Sequence, residues 1–426
     1  MRDIAVTLAV FGSLPFILRW PWTGILVWTW LGFMNPHRLA WGFAVNLPFA
    51  MIVALTTLVA LLISREPKKF VWERELVVMA LFLGFTVVTS YTALYPALAW
   101  QQFDKVAKIF LMIFVAVLVI NTRERLMALV WVIALSIGFY GVKGGIFTLV
   151  TGGGYHVQGP ERSFIAGNNE IGLALCMTVP LLYYLSQMAE KIWVRNAMLG
   201  AAILSVLAAL GTQSRGALLG LSVMGIFIWL KSRRKFQVAI LIAFAVLVLV
   251  PLMPQSWVDR MASIQNYEED ASATGRLEAW RMAYNLASDR LLGGGFEAFQ
   301  PQTFRMYLPG GTYHDAHSIY FEVLGEHGFI GLAIFLTLAA FTWFSAAKVL
   351  RACKPVPELK WLRDLMSMTQ VSLMAYLATG TFLGMAYFDY FYNLVLIVVM
   401  AKVILSQHVV APVKDRWRSA IAPASS

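Results

Sequence analysis

The stretch Ala209-Leu210-Gly211-Thr212-Gln213-Ser214-Arg215-Gly216-Ala217 joins two apolar runs, 196–211 and 217–230, and each run reads as a membrane helix. The turn between them is only a few polar residues long, so the Arg215 guanidinium must lie at or just inside the bilayer surface. An arginine beside hydrocarbon costs several kcal/mol unless it meets a partner. A lone arginine in such a place can snorkel and anchor a helix end. Gln213 and Ser214 instead make Arg215 part of a small polar cluster, and an anion is the natural partner for it.

The same apolar pattern extends in both directions. The chain has 426 residues, of which 59% are hydrophobic and 13% charged; a soluble chain this long would carry far more charge. Apolar runs at 43–64, 76–93, 107–121, 126–149, 171–188, 197–211, 217–230, 236–253, 328–350, 365–385 and 390–406 are of the length that crosses a bilayer of about 30 Å. They are continuous rather than alternating, which excludes a β-barrel. The first apolar stretch lacks a small-residue cleavage site and runs into Trp20-Pro21-Trp22, so no cleaved signal peptide is expected. Cys176 and Cys353 stand far apart and indicate neither a disulfide framework nor a metal site.

A net charge of +11 invites a nucleic-acid reading, but its distribution argues against one. Basic residues gather in short loops: Arg65/Lys68/Lys69/Arg74, Arg123/Arg125, Lys191/Arg195, Lys231/Arg233/Arg234/Lys235, Arg351/Lys354/Lys360/Arg363 and Lys414/Arg416/Arg418. Placing every cluster in the cytoplasm lets the apolar runs alternate without conflict. Residues 1–42 are then expected to make one net crossing, kinked or interrupted at Pro15 and Pro21. The expected fold is an all-α, polytopic membrane protein of about twelve spans with both termini inside. Its divisions are N-terminal membrane helices over 1–253, an outer (periplasmic) loop over 254–316, and C-terminal membrane helices with a tail over 317–426.

The segments 95–105, 151–170 and 254–316 face the periplasm in this scheme. The last is far longer than an ordinary connection. Leu277, Trp280, Tyr284, Ala287 and Leu291 recur in it at helical spacing, predicting a helix near 275–291 and an ordered cap on the membrane. The outer set of polar residues contains Lys105, Lys108, Lys143, Arg162, Arg215, Arg276, Arg281, Arg290 and Arg305, with His156, His314, His317 and His327. Converging like charges repel unless an anion binds among them, and the arginine fork matches phosphate bidentately. A diphosphate site follows, competing with plain contact to lipid headgroups. Arg276 is expected to open the loop helix, where backbone N–H groups also favour an anion. His317 sits at the junction of loop and helix with a pKa suited to taking a proton near neutrality. The His314-X-X-His317 spacing has no accompanying ligand set for zinc. Glu268-Glu269-Asp270 reads as a solvated loop, and Gly152-Gly153-Gly154 and Gly293-Gly294-Gly295 read as turns.

Several of these residues stand in an order that resembles the O-antigen ligase and polymerase superfamily of bacterial envelope glycan enzymes. The resemblance is carried by Ser214-Arg215-Gly216-Ala217, by Gly275-Arg276-Leu277 leading to Trp280 and Gly293-Gly294-Gly295-Phe296, and by Ala316-His317 followed by Glu326-His327-Gly328-Phe329-Ile330-Gly331. Gly159-Pro160-Glu161-Arg162-Ser163-Phe164 with Asn168-Asn169 also looks like that family. Two departures are Ser318, where the family often has Asn, and Leu291-Leu292, where it often has Pro. The chain is closest to the O-antigen ligases and is also similar to O-glycosylation ligases associated with exosortase systems.

The resemblance implies metal-independent, inverting transfer of a glycan from undecaprenyl diphosphate to a sugar hydroxyl of the lipid A core, without a cofactor. It makes His317 the base and Arg215 and Arg276 the groups that stabilise the leaving diphosphate. Arg162, Lys143, Lys108, Gln213, Arg281 and Tyr320 are expected to bind substrate, and membrane lipids to surround the protein. The alternatives are a polymerase of lipid-linked repeats, a protein O-oligosaccharyltransferase and an anion transporter. Transporters usually place their polar sites near the bilayer midplane and often contain inverted repeats; here no repeat is evident and the polar set keeps to one face.

Overall fold

The computed structural model describes residues 1–232, 234–249, 254–255, 257–258 and 271–421, and Glu268-Glu269-Asp270 and the last five residues lie outside that range. No strand occurs among the described residues. The helices are α1 (Arg2–Arg19), α2 (Pro21–Met34), α3 (Phe49–Ile63), α4 (Arg74–Tyr91), α5 (Pro96–Val119), α6 (Arg123–Val150), α7 (Asn168–Met188), α8 (Ile192–Gly211), α9 (Arg215–Lys231), α10 (Lys235–Leu249), α11 (Ala271–Asp289), α12 (Pro301–Tyr307), α13 (Ile319–Ala352), α14 (Lys360–Thr379) and α15 (Asp389–Ile421). Six of them, α4, α6, α7, α8, α13 and α15, are long and apolar enough to cross a membrane. Each expected apolar run coincides with a helix, and the chain is a multi-pass, all-helical membrane protein.

One continuous core holds early and late helices together, from Ile25 of α2 through Leu175 of α7 to Val398 of α15. Burial of these side chains fixes the order of packing, with α7 against α8 and α14, and α6 against α8. Small residues let the helices approach: at Gly145 of α6 a methyl group would sit 2.2 Å from the backbone oxygen of Leu204. In an apolar surrounding, such close van der Waals packing is a main source of helix association.

Ion pairs and hydrogen bonds sort the connections into two ends of the bundle. At one end Arg125 reaches the Glu66 carboxylate at 2.8 Å, and Lys402 reaches Glu75 at 2.8 Å. Glu75, fully buried, also accepts from Ser345. At the other end Leu94 N donates to Gly294 O, Val157 N to Gly211 O and Trp257 Nε1 to Leu210 O. The basic loops thus share one end, and the polar set around Arg215 and His317 shares the other.

The N-terminus departs from expectation. Asp3 accepts hydrogen bonds from Gly42 N at 3.0 Å and Ala44 N at 3.1 Å, and Arg2 donates to Leu39 O. The α1–α2 connection lies at the opposite end, where the Arg125 guanidinium stands 5.6 Å from the Trp22 ring centre. Residues 1–42 therefore pass through the bundle twice, not once, and Asp3 and Lys402 lie at opposite ends. Trp20, in extended conformation, makes the break, with Pro21 opening α2. Pro15, expected to break the first segment, lies inside α1, where neighbouring groups in a packed bundle can offset its missing hydrogen bond.

Two further boundaries move. Residues 96–105 are the first turns of α5 rather than a loop. The cap helix is described from Ala271, five residues before Arg276, so Arg276 lies inside it rather than opening it. α13 bends at Gly328 (φ 64°), where any side chain would strike the Leu291 carbonyl oxygen. The carbonyls of Gly325 and Glu326 beside the bend accept from Gly294 N and Gly295 N. The triple glycine is thus the turn that fits the bend.

A cysteine at exposed Ile4 tests the doubled N-terminal pass. In sealed vesicles, a membrane-impermeant thiol reagent should label Ile4→Cys and Trp41→Cys from the same side, and Lys354→Cys only from the other. Labelling of Ile4→Cys together with Lys354→Cys contradicts the two-helix hairpin.

Candidate active site

The cap has a small core of its own, in which Ala279, Met282 and Leu286 of α11 pack against Phe299, Phe304 and Ala316. Polar ties run along the same helix. Asn285 Nδ2 donates to Tyr307 O at 2.8 Å, and Glu278 accepts from Thr312 N at 2.9 Å. Trp280 makes the tie nearest the bundle: Nε1 donates to Ala316 O at 2.9 Å. Its ring stacks on Phe321 of α13 (4.8 Å, 5° between planes) and on Phe382 (6.1 Å, 28°). One side chain thereby joins the cap helix, the start of α13 and the turn after α14.

His317 directly follows the carbonyl that Trp280 holds. Its φ is +41°, a left-handed conformation that histidine adopts more readily than most residues, at a cost of roughly 1–3 kcal/mol. The clamped carbonyl before it and, after it, the buried Ser318, whose carbonyl accepts from Glu322 N at 2.8 Å, maintain that geometry. Burial holds the half-buried imidazole below the ordinary histidine pKa. Asp315 opposes that shift, while Arg276 and His314 add to it. Arg276 lies one turn before Trp280 on α11, so the clamp that orients His317 also brings this cation to it. Most of the His317 side chains are then neutral, and able to accept a proton, at pH 7.

The other histidines are committed elsewhere. Glu278 accepts the Thr312 hydroxyl proton at 2.7 Å, so the hydroxyl, with its proton spent, accepts from His314 Nε2 at 2.8 Å. The His314 ring also packs on Gly275, where a methyl group would lie 2.7 Å from it. His327 is fully buried among Phe82, Phe296 and Tyr387, with Nδ1 2.7 Å from Thr89 Oγ1. His156 Nε2 lies 2.9 Å from Gln213 Oε1.

Arg215 is the first residue of α9, and Ser214 Oγ accepts from Ala217 N to cap it. The guanidinium therefore starts at the positive end of a helix, where anions are favoured. A methyl group at Gly216 would stand 3.7 Å from Phe382 Cβ, which places the start of α9 against the Phe382–Trp280 stack. Arg215, Arg276 and His317 thus border one aromatic frame contributed by three segments, with the start of α9 packed against it.

The remaining expected residues divide. Gln213, in left-handed conformation and 5% exposed, spends its amide on Gly153 O and His156, so it clips the 151–157 turn to α9. Arg162 (φ 58°) is exposed at the tip of the turn closed by Gly159 N to Ala166 O. Tyr320 donates to Leu377 O at 2.9 Å. Lys108 pairs with Asp104 on its own helix, and Lys143 and Arg281 are exposed on α6 and α11. No contact described here brings Lys108, Lys143 or Arg281 to the frame. Sequence reasoning passed over Asp315, Phe321 and Phe382. Glu322, and Glu326 of the family-like motif, had no role assigned from sequence. Glu322 accepts from Ala386 N at 2.9 Å, and Glu326 from Glu297 N at 2.8 Å and from Tyr387 Oη. These two carboxylates, one helical turn apart, hold the 383–388 turn and the cap against α13.

No curated protein matches the chain. Residues 1–190 match a family of unknown function (DUF5935). Residues 200–336 match the family model described as O-antigen ligase, a span that takes in Arg215, Arg276, Trp280 and His317. Over that segment, about a third of its length, the chain is similar to the O-antigen ligases.

Proposed function

We propose that this protein transfers a glycan en bloc from undecaprenyl diphosphate to a sugar hydroxyl of the lipid A core, at the periplasmic face of the bacterial inner membrane. Similarity to the O-antigen ligases supports a glycosyltransferase acting on lipid-linked glycans. The observation that carries the finer reading is the clamped, half-buried His317 beside Arg276, on the same frame as Arg215.

The chemistry assigned to these groups is a single displacement. The acceptor oxygen attacks the anomeric carbon as the bond from that carbon to the diphosphate oxygen breaks. His317 takes the acceptor proton, and the lipid diphosphate leaves with one more negative charge. Arg215 and Arg276 stabilise that charge in a water-poor setting, an effect worth about 2.7–4 kcal/mol for one well-placed donor. One displacement inverts the anomeric configuration. In this reading the basic end faces the cytoplasm, the doubled N-terminal pass puts Met1 outside, and the polyprenyl tail lies between helices. Arg162 at the tip of its loop, Lys108, Lys143, Arg281, Gln213 and Tyr320 remain assigned to the walls around the two substrates.

With purified protein, lipid-linked donor and core acceptor, His317→Ala should lower turnover by about 10²–10⁴-fold. His317→Gln should fall nearly as far, since an amide cannot take the proton. Arg215→Ala should weaken donor use, and lysine should restore it poorly because it lacks the bidentate fork. Activity should survive chelators. Near-normal turnover of a folded His317→Ala protein contradicts the assignment. If only donor use fails and the acceptor is a protein or a second lipid-linked unit, the glycolipid profile of a deletion strain reveals it as normal lipopolysaccharide or as single-repeat capping.

The pH profile carries a separate test. Because the active form of His317 is neutral and its pKa is lowered, activity should be lost as pH falls through that lowered value. Asp315→Asn removes a charge that holds the pKa up, so its acid limb should move to lower pH. Arg276→Gln removes a cation that holds it down, so whatever activity remains should show an acid limb at higher pH. Unmoved limbs in both variants exclude His317 as the titrating base.

A further inference from the structure

At the end of the bundle opposite His317, the ends of α7, α9, α10, α13 and α14 enclose a cavity of about 520 Å³. Its charged lining is Lys231, Lys354, Lys360 and Arg363 against a single carboxylate, Asp364. Lys360 and Arg363 share that carboxylate at 3.1 Å and 2.9 Å. Lys231 faces neutral groups: Nζ donates to Gln370 Oε1 at 2.6 Å and stands 5.7 Å from the Trp343 ring centre.

Basic residues at this end are expected from membrane sidedness alone, but the other buried cations here are matched by carboxylates. Arg125 has Glu66, and Lys402 has both Glu73 and Glu75. The cavity instead keeps an excess of positive charge between apolar walls such as Ile228, Val238 and Leu350. Like charges gathered around one partly buried cavity repel unless an anion enters. An anion that also brings an apolar tail satisfies both the cationic rim and those walls, and basic pockets between membrane helices suit anionic headgroups.

We propose that this cavity binds the phosphate headgroup of an anionic phospholipid, with its acyl chains along the apolar wall. The site is separate from the His317 frame and stands whether or not the glycan-transfer reading holds. Delipidated full-length protein in detergent can be titrated with phosphatidylglycerol, with phosphatidylcholine and with inorganic phosphate, bound lipid being read by native mass spectrometry and thermal shift. Phosphatidylglycerol should bind in preference to phosphatidylcholine, and Lys231→Gln/Lys354→Gln should weaken it at least tenfold. Asp364→Asn, which removes the opposing charge, should tighten it about fivefold; misfolding cannot produce such a gain. Lys68→Gln, a basic-end residue outside the cavity, should leave it unchanged. Equal binding by the double variant, or equal weakening by Lys68→Gln, overturns the site. Inorganic phosphate matching the lipid at equal concentration overturns the lipid and assigns the cavity to a soluble phosphate.

Discussion

The indole of Trp280 donates to the carbonyl of Ala316 while its ring stacks on Phe321 and Phe382. A net hydrogen bond of about 1 kcal/mol and aromatic pairs of about 0.5–1.5 kcal/mol each are modest terms. Their importance lies in what they connect. The cap also meets α13 through the triple-glycine turn and through Glu297 N on Glu326. The Trp280 contacts fix where its helix rests, and they bring Arg276 from the cap to His317 at the head of α13. The strained backbone of His317 persists because its neighbours on both sides are held.

Glu322 and Glu326 extend the same arrangement into the bundle. Each carboxylate lies among apolar residues, and each meets donors from segments distant in sequence: Ala386 N for Glu322, and Glu297 N with Tyr387 Oη for Glu326. An unmet buried carboxylate is costly, so these donors are required. The requirement ties the 383–388 turn and the cap to α13. Polar groups thus do at this end what apolar packing does elsewhere.

Much of this was legible in the sequence, for reasons that differ by element. Membrane helices announce themselves by length and hydropathy, and each expected run meets a helix. Arg215, Arg276 and His317 stood out because charge at the edge of an apolar run needs an explanation. Periodicity in 277–291 disclosed the cap helix but not its part from Ala271, since alanine, serine and threonine there carry no apolar stripe. The N-terminal hairpin was hidden by the shortness of α2, fourteen residues closed by Asn35, and by an Asp3 contact some forty residues distant. Phe382 carries no local signal, as its role exists only once the cap is folded over it. The structural part of Gln213, its amide holding Gly153 O and His156, carries no local signal either, because both partners lie some sixty residues away.

The account turns on one frame gathering the leaving diphosphate and the base. A cryo-EM structure of the full chain with undecaprenyl diphosphate bound addresses that directly. The diphosphate oxygens should lie within hydrogen-bonding distance of the Arg215 and Arg276 guanidinium groups, with the His317 ring facing the space where the departing sugar was attached. A diphosphate seated in the basic cavity at the other end, or at the outer end without contact to either arginine, contradicts it.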